Sequence, residues 1–175
     1  MVKRSARIKG FVDLPGDKSI SHRALILNSV AKGTAHISGL STGADVQATI
    51  RCLRSLGVDI TDSRGPSESI VHGVNWDFKE SPIILDSGNS GTTMRLLSGV
   101  LATQPFLSII TGDESLRTRP MGRVIQPLLD MGASVMGRCN NTMAPIAIRG
   151  GSLNSIDCEL AVPSAQVKSS IILAA

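Results

Sequence analysis

Gly16-Asp17-Lys18-Ser19-Ile20-Ser21-His22-Arg23 places two cations and two hydroxyls where a loop gives way to an amphipathic pattern. The free amides that open a helix carry about half a unit of positive charge, and an anion seated there is gripped by those N–H groups together with any neighbouring cation. Lys18 and Arg23 bring full charges to that place, so the segment suits a small phosphorylated acid.

The arrangement recurs. Arg95 follows Arg23 after 72 residues, and Lys168 follows Arg95 after 73. Each closes a short polar run: Lys18 to Arg23, Asn89-Ser90-Gly91-Thr92-Thr93-Met94-Arg95, and Pro163-Ser164-Ala165-Gln166-Val167-Lys168. An apolar stretch comes after each run. A second series, Val46, Ile50, Leu53, Leu56, Gly57, Val58 and Ile60, returns as Met121, Ile125, Leu128, Met131, Gly132, Ala133 and Val135 at a constant offset of 75. Repetition on this scale marks one supersecondary unit used several times.

The elements that must position these runs alternate. Residues 8–14 read as a strand that ends at Pro15-Gly16, and Ser19 or Ser21 caps a first helix with Ile20, Ala24, Leu27 and Ala31 as its apolar stripe. Gly33 stops it, and residues 35–38 form a short strand. Asp45 opens a second helix whose stripe ends at Gly57, the left-handed closing position. Strands at 58–61 and 69–72 complete the unit. A second unit follows with strands at 83–85, 107–111, 134–136, 146–149 and 158–162, and helices at 92–102 and from Pro120 to Met131. Pro127 conflicts with that last helix, because an interior proline costs about 3 kcal/mol unless the helix kinks or starts later. The order is βαβαββ twice, then the opening of a third copy.

Composition narrows the function classes. At 175 residues the chain is expected to form one domain, enough to bury roughly 70% of its unfolded surface. The apolar run at 169–175 meets no closing Gly, Asn or Pro, so the chain reads as the front portion of a longer protein. The net charge of +4 favours anionic partners. Three Phe, one Trp and no Tyr supply no stacking platform for nucleic acid, and no Lys/Arg run is long. Lys3, Arg4, Arg7 and Lys9 lead into no signal-peptide core, and no stretch reaches membrane-spanning length; a cytoplasmic protein with no membrane association is expected. Cys52, Cys139 and Cys158 are odd in number and lack CxxC spacing, so reduced thiols are expected.

Three motif readings fail on spacing. Lys18-Ser19 lacks the glycine that a P-loop needs immediately before its lysine, since Asp17 stands there. Gly88-Asn89-Ser90-Gly91 lacks the three-glycine fingerprint of a dinucleotide site. His22, His36 and His72 sit in separate elements without zinc-ligand spacing, and are read as structural or surface histidines.

Residues 14–23, 89–95, Arg117-Thr118-Arg119-Pro120-Met121 and 163–169 closely resemble the 5-enolpyruvylshikimate-3-phosphate synthases, or 3-phosphoshikimate 1-carboxyvinyltransferases. The resemblance runs along the whole chain, with four separated motifs in the family's order. It implies an α/β lobe of repeated βαβαββ units around a pseudo-threefold axis, helices inside and sheets outside, here incomplete: two units and the start of a third over residues 15–175. Residues 1–14 would form a strand region belonging to the other lobe, which would follow residue 175. The implied reaction moves the enolpyruvyl group of phosphoenolpyruvate to the 5-hydroxyl of shikimate 3-phosphate, with no metal or organic cofactor, in a monomer that is a glyphosate target.

Carried over by motif, Lys18 would be catalytic and touch both substrates. Ser19 and Arg23 would hold shikimate 3-phosphate, Gly91 would let the backbone approach phosphoenolpyruvate, and Arg119 would clamp its phosphate. Ser164 and Gln166 would bind shikimate 3-phosphate, with Gln166 near both ligands; some relatives carry a second serine where Ala165 stands. Arg95 and Lys168 stay outside the primary site as structural partners, Arg117 has a supporting role, and Asp113 and Glu114 read as surface acids. The proton-transfer carboxylates, a lysine and two further arginines would come from the other lobe, so this polypeptide alone is expected to be inactive. Two alternatives remain open: a UDP-N-acetylglucosamine enolpyruvyl transferase, which would want an asparagine where Ser19 stands, and a non-catalytic module that binds phosphorylated ligands.

Overall fold

The 75-residue offset is a structural repeat. The computed structural model describes residues 9–12, 14–160 and 162–175. In it Val46, Ile50 and Leu53 of α2 (Ala44–Ser55) are buried together with Leu56, Val58 and Ile60 beyond its end. Their counterparts Met121, Ile125, Leu128, Met131, Ala133 and Val135 are buried in and around α4 (Gly122–Asp130). Gly57 and Gly132 close the two helices at φ +86° and +100°, where a Cβ would be strained.

Each repeat makes the same sheet. In the first, β1 (Lys32–Ile37) and β2 (Asp59–Asp62) flank β3 (Ser69–Val74), with Ala35 opposite Val71 and Ile60 opposite Val71 on the other side. In the second, β5 (Leu107–Thr111) and β6 (Ser134–Gly137) flank β7 (Met143–Arg149), and β4 (Leu85–Asp86) adds a parallel strand on β5. Both central strands are antiparallel to their neighbours. The flanking strands therefore run parallel and need a crossover, which α2 or α4 supplies.

The helices gather inside and the sheets lie outside, as expected. α3 (Gly91–Ala102) has eleven of its twelve residues buried, including Leu96, Leu97, Val100 and Leu101, and packs closely along α6 (Ala165–Ala174). A helix that is apolar all round belongs in the interior. A Cβ on Gly99 would run into the Ser170 carbonyl, so glycine there permits the α3–α6 approach.

Several expectations are corrected. α1 (Lys18–Val30) buries Ser21, His22, Leu25, Ile26, Ser29 and Val30, while Ile20 and Leu27 of the expected stripe are 69% and 53% exposed. Polar residues took the inner face because their hydrogen bonds are made there: Ser29 Oγ donates to Leu25 O, and Ser21 Oγ both donates to Asp17 O and accepts from Ser41 N–H. The cap of α1 is Asp17, not Ser19 or Ser21. α1 ends at Val30, before Gly33, which lies inside β1. Gly43 caps α2, with Asp45 in its first turn. α4 starts at Gly122, two residues after Pro120; this shorter helix still contains Pro127.

Residues 9–12 and 14 form no strand, and Phe11, Val12 and Leu14 are exposed; the rest of the expected strand, Ile8 and Asp13, lies outside the described residues, as do residues 1–7. Residues 158–160 and 162 also form no strand; Ala161 is outside the described residues. β4 pairs with the strand that follows α3, whereas residues 158–160 and 162 have no paired strand edge among the described residues. Isolated extended chain without a partner edge is not stable.

Candidate active site

Three helix entrances carry side-chain caps. Asp17 Oδ1 accepts Ile20 N–H at 2.7 Å, Ser90 Oγ accepts Thr93 N–H at 3.1 Å, and Ser164 Oγ accepts Val167 N–H at 3.4 Å. Counted from these caps, Arg23 is the sixth residue, Arg95 the fifth and Lys168 the fourth. Each step turns a side chain by about 100°, so the three cations point in different directions despite their even spacing in sequence.

At the entrance of α1, Lys18 Nζ lies 2.9 Å from Asp45 Oδ2 of α2, with the lysine side chain 55% exposed. Arg23 crosses from α1 to α6, donating through Nη2 to Ser169 Oγ at 2.9 Å and to the Ala165 carbonyl at 3.4 Å, and through Nη1 to Ser19 O at 3.2 Å. Ser19 itself is exposed. Ser164 accepts the cap bond and keeps its own proton and a second lone pair to offer a ligand.

Arg95 and Arg119 meet over Gly91. A Cβ built on Gly91 would stand 2.7 Å from Arg95 Nη1 and 3.6 Å from Arg119 Nη1. Arg95 donates through Nη1 to Gln166 Oε1 at 2.7 Å and through Nη2 to Pro120 O at 3.2 Å; Gln166 Nε2 donates to Thr92 Oγ1 at 2.9 Å. Arg119 donates to Asn89 Oδ1, and Asn89 Nδ2 donates to Asp113 Oδ2 at 2.7 Å. Asp113 Oδ1 accepts Leu116 N–H at 2.8 Å, so the carboxylate ties the 3₁₀ turn Leu116–Thr118 to the loop before α3.

The charge is left uncompensated. Among the described residues Arg23, Arg95 and Arg119 have no carboxylate within ion-pair distance, whereas Lys18 does. Burial, followed by the fields of Arg119 and Arg123, holds the Arg95 pKa below its ordinary value. The hydrogen bonds from Asn89 and the Leu116 amide hold Asp113 below the usual carboxylate range. Half-buried guanidinium groups with neutral partners form a place where an anion is stabilised, because charge-assisted bonds to them contribute about 1.5–3 kcal/mol each.

Lys18, Arg23, Gly91, Ser164 and Gln166 thus stand at or near the entrances of α1, α3 and α6: Arg23 reaches α6, Gln166 bonds Arg95 and Thr92 of α3, Arg119 stands over Gly91, and Lys18 bonds Asp45 of α2. Arg95 does serve as a structural partner, through Gln166 and the Pro120 carbonyl, and it also stands over Gly91, which the sequence reading did not give it. Asp45 and Asn89 were missed as partners of Lys18 and Arg119. Asp113 is exposed, yet it organises Asn89 rather than being only a surface acid. Lys168 lies away from this cluster, lining a groove with Cys158, Glu159 and Ile172. Arg117 accepts a bond from Arg138 through its carbonyl. Among the described residues no group of three or more His, Cys, Asp or Glu could hold a metal, and no helix is long and apolar enough to cross a membrane.

The profile of the family described as EPSP synthase (3-phosphoshikimate 1-carboxyvinyltransferase) matches residues 2–175. A 3-phosphoshikimate 1-carboxyvinyltransferase of Chloroflexus aggregans is 50% identical over 170 residues, which are 97% of this chain and 39% of that protein. The enzyme of that name from Alkaliphilus metalliredigens is 52% identical over 169 residues, 96% of this chain and 39% of its own. The solved EPSP synthase of Acinetobacter baumannii superposes with a TM-score of 0.89 at 44% identity, covering 94% of this chain and 37% of that one. The chain therefore spans about two fifths of the length of the relatives it matches.

Proposed function

This chain belongs to the EPSP synthase family, and from that premise we propose that it forms one side of a site where phosphoenolpyruvate gives its enolpyruvyl group to the 5-hydroxyl of shikimate 3-phosphate. The observation that supports this most strongly is the pair Arg95 and Arg119 standing over Gly91 without an acid, at the capped entrance of α3. The phosphate of phosphoenolpyruvate fits there, with Lys18 on its other flank. Arg23, Ser19, Ser164 and Gln166 line the α1 and α6 entrances and take the shikimate 3-phosphate, Arg23 gripping a carboxylate at two points.

In the reaction the 5-hydroxyl gives its proton to a base and its oxygen bonds to C2 of phosphoenolpyruvate, while the C2–C3 double bond takes a proton at C3, giving a tetrahedral adduct. Phosphate then leaves from C2, and C3 gives a proton back. Lys18 and the two arginines neutralise charge on the departing phosphate, which is the form of catalysis that fixed cations supply most effectively. No cofactor is needed. The other half of the cleft, with the proton-transfer carboxylates, is assigned to the remaining length of the whole protein. A monomer in the cytoplasm follows from the same reading.

A phosphate-release assay tests it. The whole protein is expected to liberate phosphate only with both substrates present, and this 175-residue chain alone is expected to turn over none. Turnover by the chain alone at the whole protein's rate, or none by the whole protein, overturns the proposal.

A further inference from the structure

α1 and α2 touch through two rungs of one ladder. Lys18 meets Asp45 at the surface, and one turn further along both helices His22 Nδ1 meets Thr49 Oγ1 at 2.7 Å. The inner rung is sealed from water, with His22 and Thr49 both at 0% exposure. It does not end there. Thr49 Oγ1 lies 2.7 Å from Thr93 Oγ1, which contacts Ser90 Oγ at 2.7 Å and donates to the Asp45 carbonyl at 3.3 Å. Ser90 is the cap of α3 and the residue before Gly91.

Four polar side chains thus run buried from one helix to the next through the junction of α1, α2 and α3. Such a chain is a poor way to add stability. Well-packed apolar residues of the same shape do nearly as well or better, because a buried bond largely replaces the one its groups made to water. His22 Nε2 is buried with no partner, a further cost. Directionality is what hydrogen bonds offer and apolar contacts do not. The His22–Thr49 and Thr49–Thr93 bonds cross between helices and constrain their relative rotation, and the Thr93–Ser90 bond carries that constraint to the first turn of α3.

We propose that His22 and Thr49 are positioning residues, which through Thr93 and Ser90 hold Lys18 on α1 and Gly91 on α3 at the separation that lets both sides grip one phosphate. This rests on the placing of phosphoenolpyruvate given above. Neither residue touches substrate. Their effect reaches the ligand through the spacing of the two entrances, and a displacement of about 1 Å in such a constellation costs up to 100-fold in rate.

Thr49→Val removes the hydroxyl and keeps the shape, and Thr49→Ser keeps the hydroxyl. In the whole protein the KM for phosphoenolpyruvate is expected to rise about 10-fold in Thr49→Val, with the KM for shikimate 3-phosphate within about 2-fold, and Thr49→Ser is expected to recover most of the loss. Thr93→Val cuts the chain one bond later, leaves His22 paired with Thr49, and must give the same split; it decides the matter if Thr49→Val does not fold. Equal shifts in both KM values, or none, overturn the proposal. Amide exchange at Gly91, Thr92 and Thr93, measured without substrate, is an independent readout: it is expected to quicken about 10-fold in Thr49→Val. Unchanged exchange overturns the positioning claim even if the wild type proves to transfer no enolpyruvyl group, an outcome that by itself would sink only the functional reading.

Discussion

Arg95 Nη1 donates to Gln166 Oε1 at 2.7 Å, joining α3 to α6 across 71 residues of sequence and directly beside the open flank of Gly91. The bond fixes where a cation with no acid partner points. Gly91→Ala would place a methyl 2.7 Å from that guanidinium nitrogen, and the flexible arginine would swing off Gln166. The expected result is a raised KM for phosphoenolpyruvate and weaker inhibition by glyphosate, with folding little affected. Titration of wild type and variant with the inhibitor checks it; identical inhibition would remove Gly91 from the phosphate subsite.

In the proposed site Lys18→Met deletes one of the charges assigned to the departing phosphate. Loss of one preorganised group of this kind costs about 2.7–4 kcal/mol in the transition state, so kcat should fall by roughly 100- to 1000-fold. Stability should move by about 1 kcal/mol, because the Lys18 side chain is 55% exposed although its partner Asp45 is 27% exposed. A saturating turnover equal to wild type would deny Lys18 a catalytic role.

Asp45→Asn separates orientation from charge. If the carboxylate holds Lys18 in place, kcat/KM for phosphoenolpyruvate should fall about 10-fold while the melting temperature stays near that of the wild type. An equal or faster rate would mean that Asp45 merely damps the lysine.

His22 should make the protein acid-sensitive. Burial, opposed by Asp45 and assisted by Lys18 and Arg23, pushes its pKa down to about 4 from an ordinary 6.5. Between those values the unfolded chain binds more protons than the folded one, so stability rises with pH across that window and is complete above it. The loss approaches on the order of 3 kcal/mol below pH 4. Urea midpoints measured from pH 4 to 7 should show this slope, and His22→Asn should flatten it; the same slope in both proteins would acquit the histidine.

Thiol accessibility gives a test independent of function. Cys139 and Cys158 are exposed, whereas Cys52 is buried and burial, assisted by Asp86, pushes its thiol up to about 12. A thiol reagent should label two cysteines quickly and the third only on unfolding. Rapid labelling of all three would contradict the packing of α2.

Much of this protein was legible in one dimension. The 75-residue offset between Val46–Ile60 and Met121–Val135 is a period in apolar side chains, and burial enforces such a period wherever one unit is reused, so both series proved to be core. Motifs in the family's order likewise pointed to Gly91, Arg119 and Gln166, which Arg95 brings into one neighbourhood, and to Arg23, which reaches α6. Hydrogen-bond direction and helix phase were not legible. Whether Arg95 faces the site depends on its rotation from the Ser90 cap, and the inward face of α1 depends on partners for Ser21, His22 and Ser29 that lie in other elements or in its own backbone. Sequence spacing fixes how often a residue type recurs; only packing decides which way it turns, because that choice is made by groups up to 146 residues away.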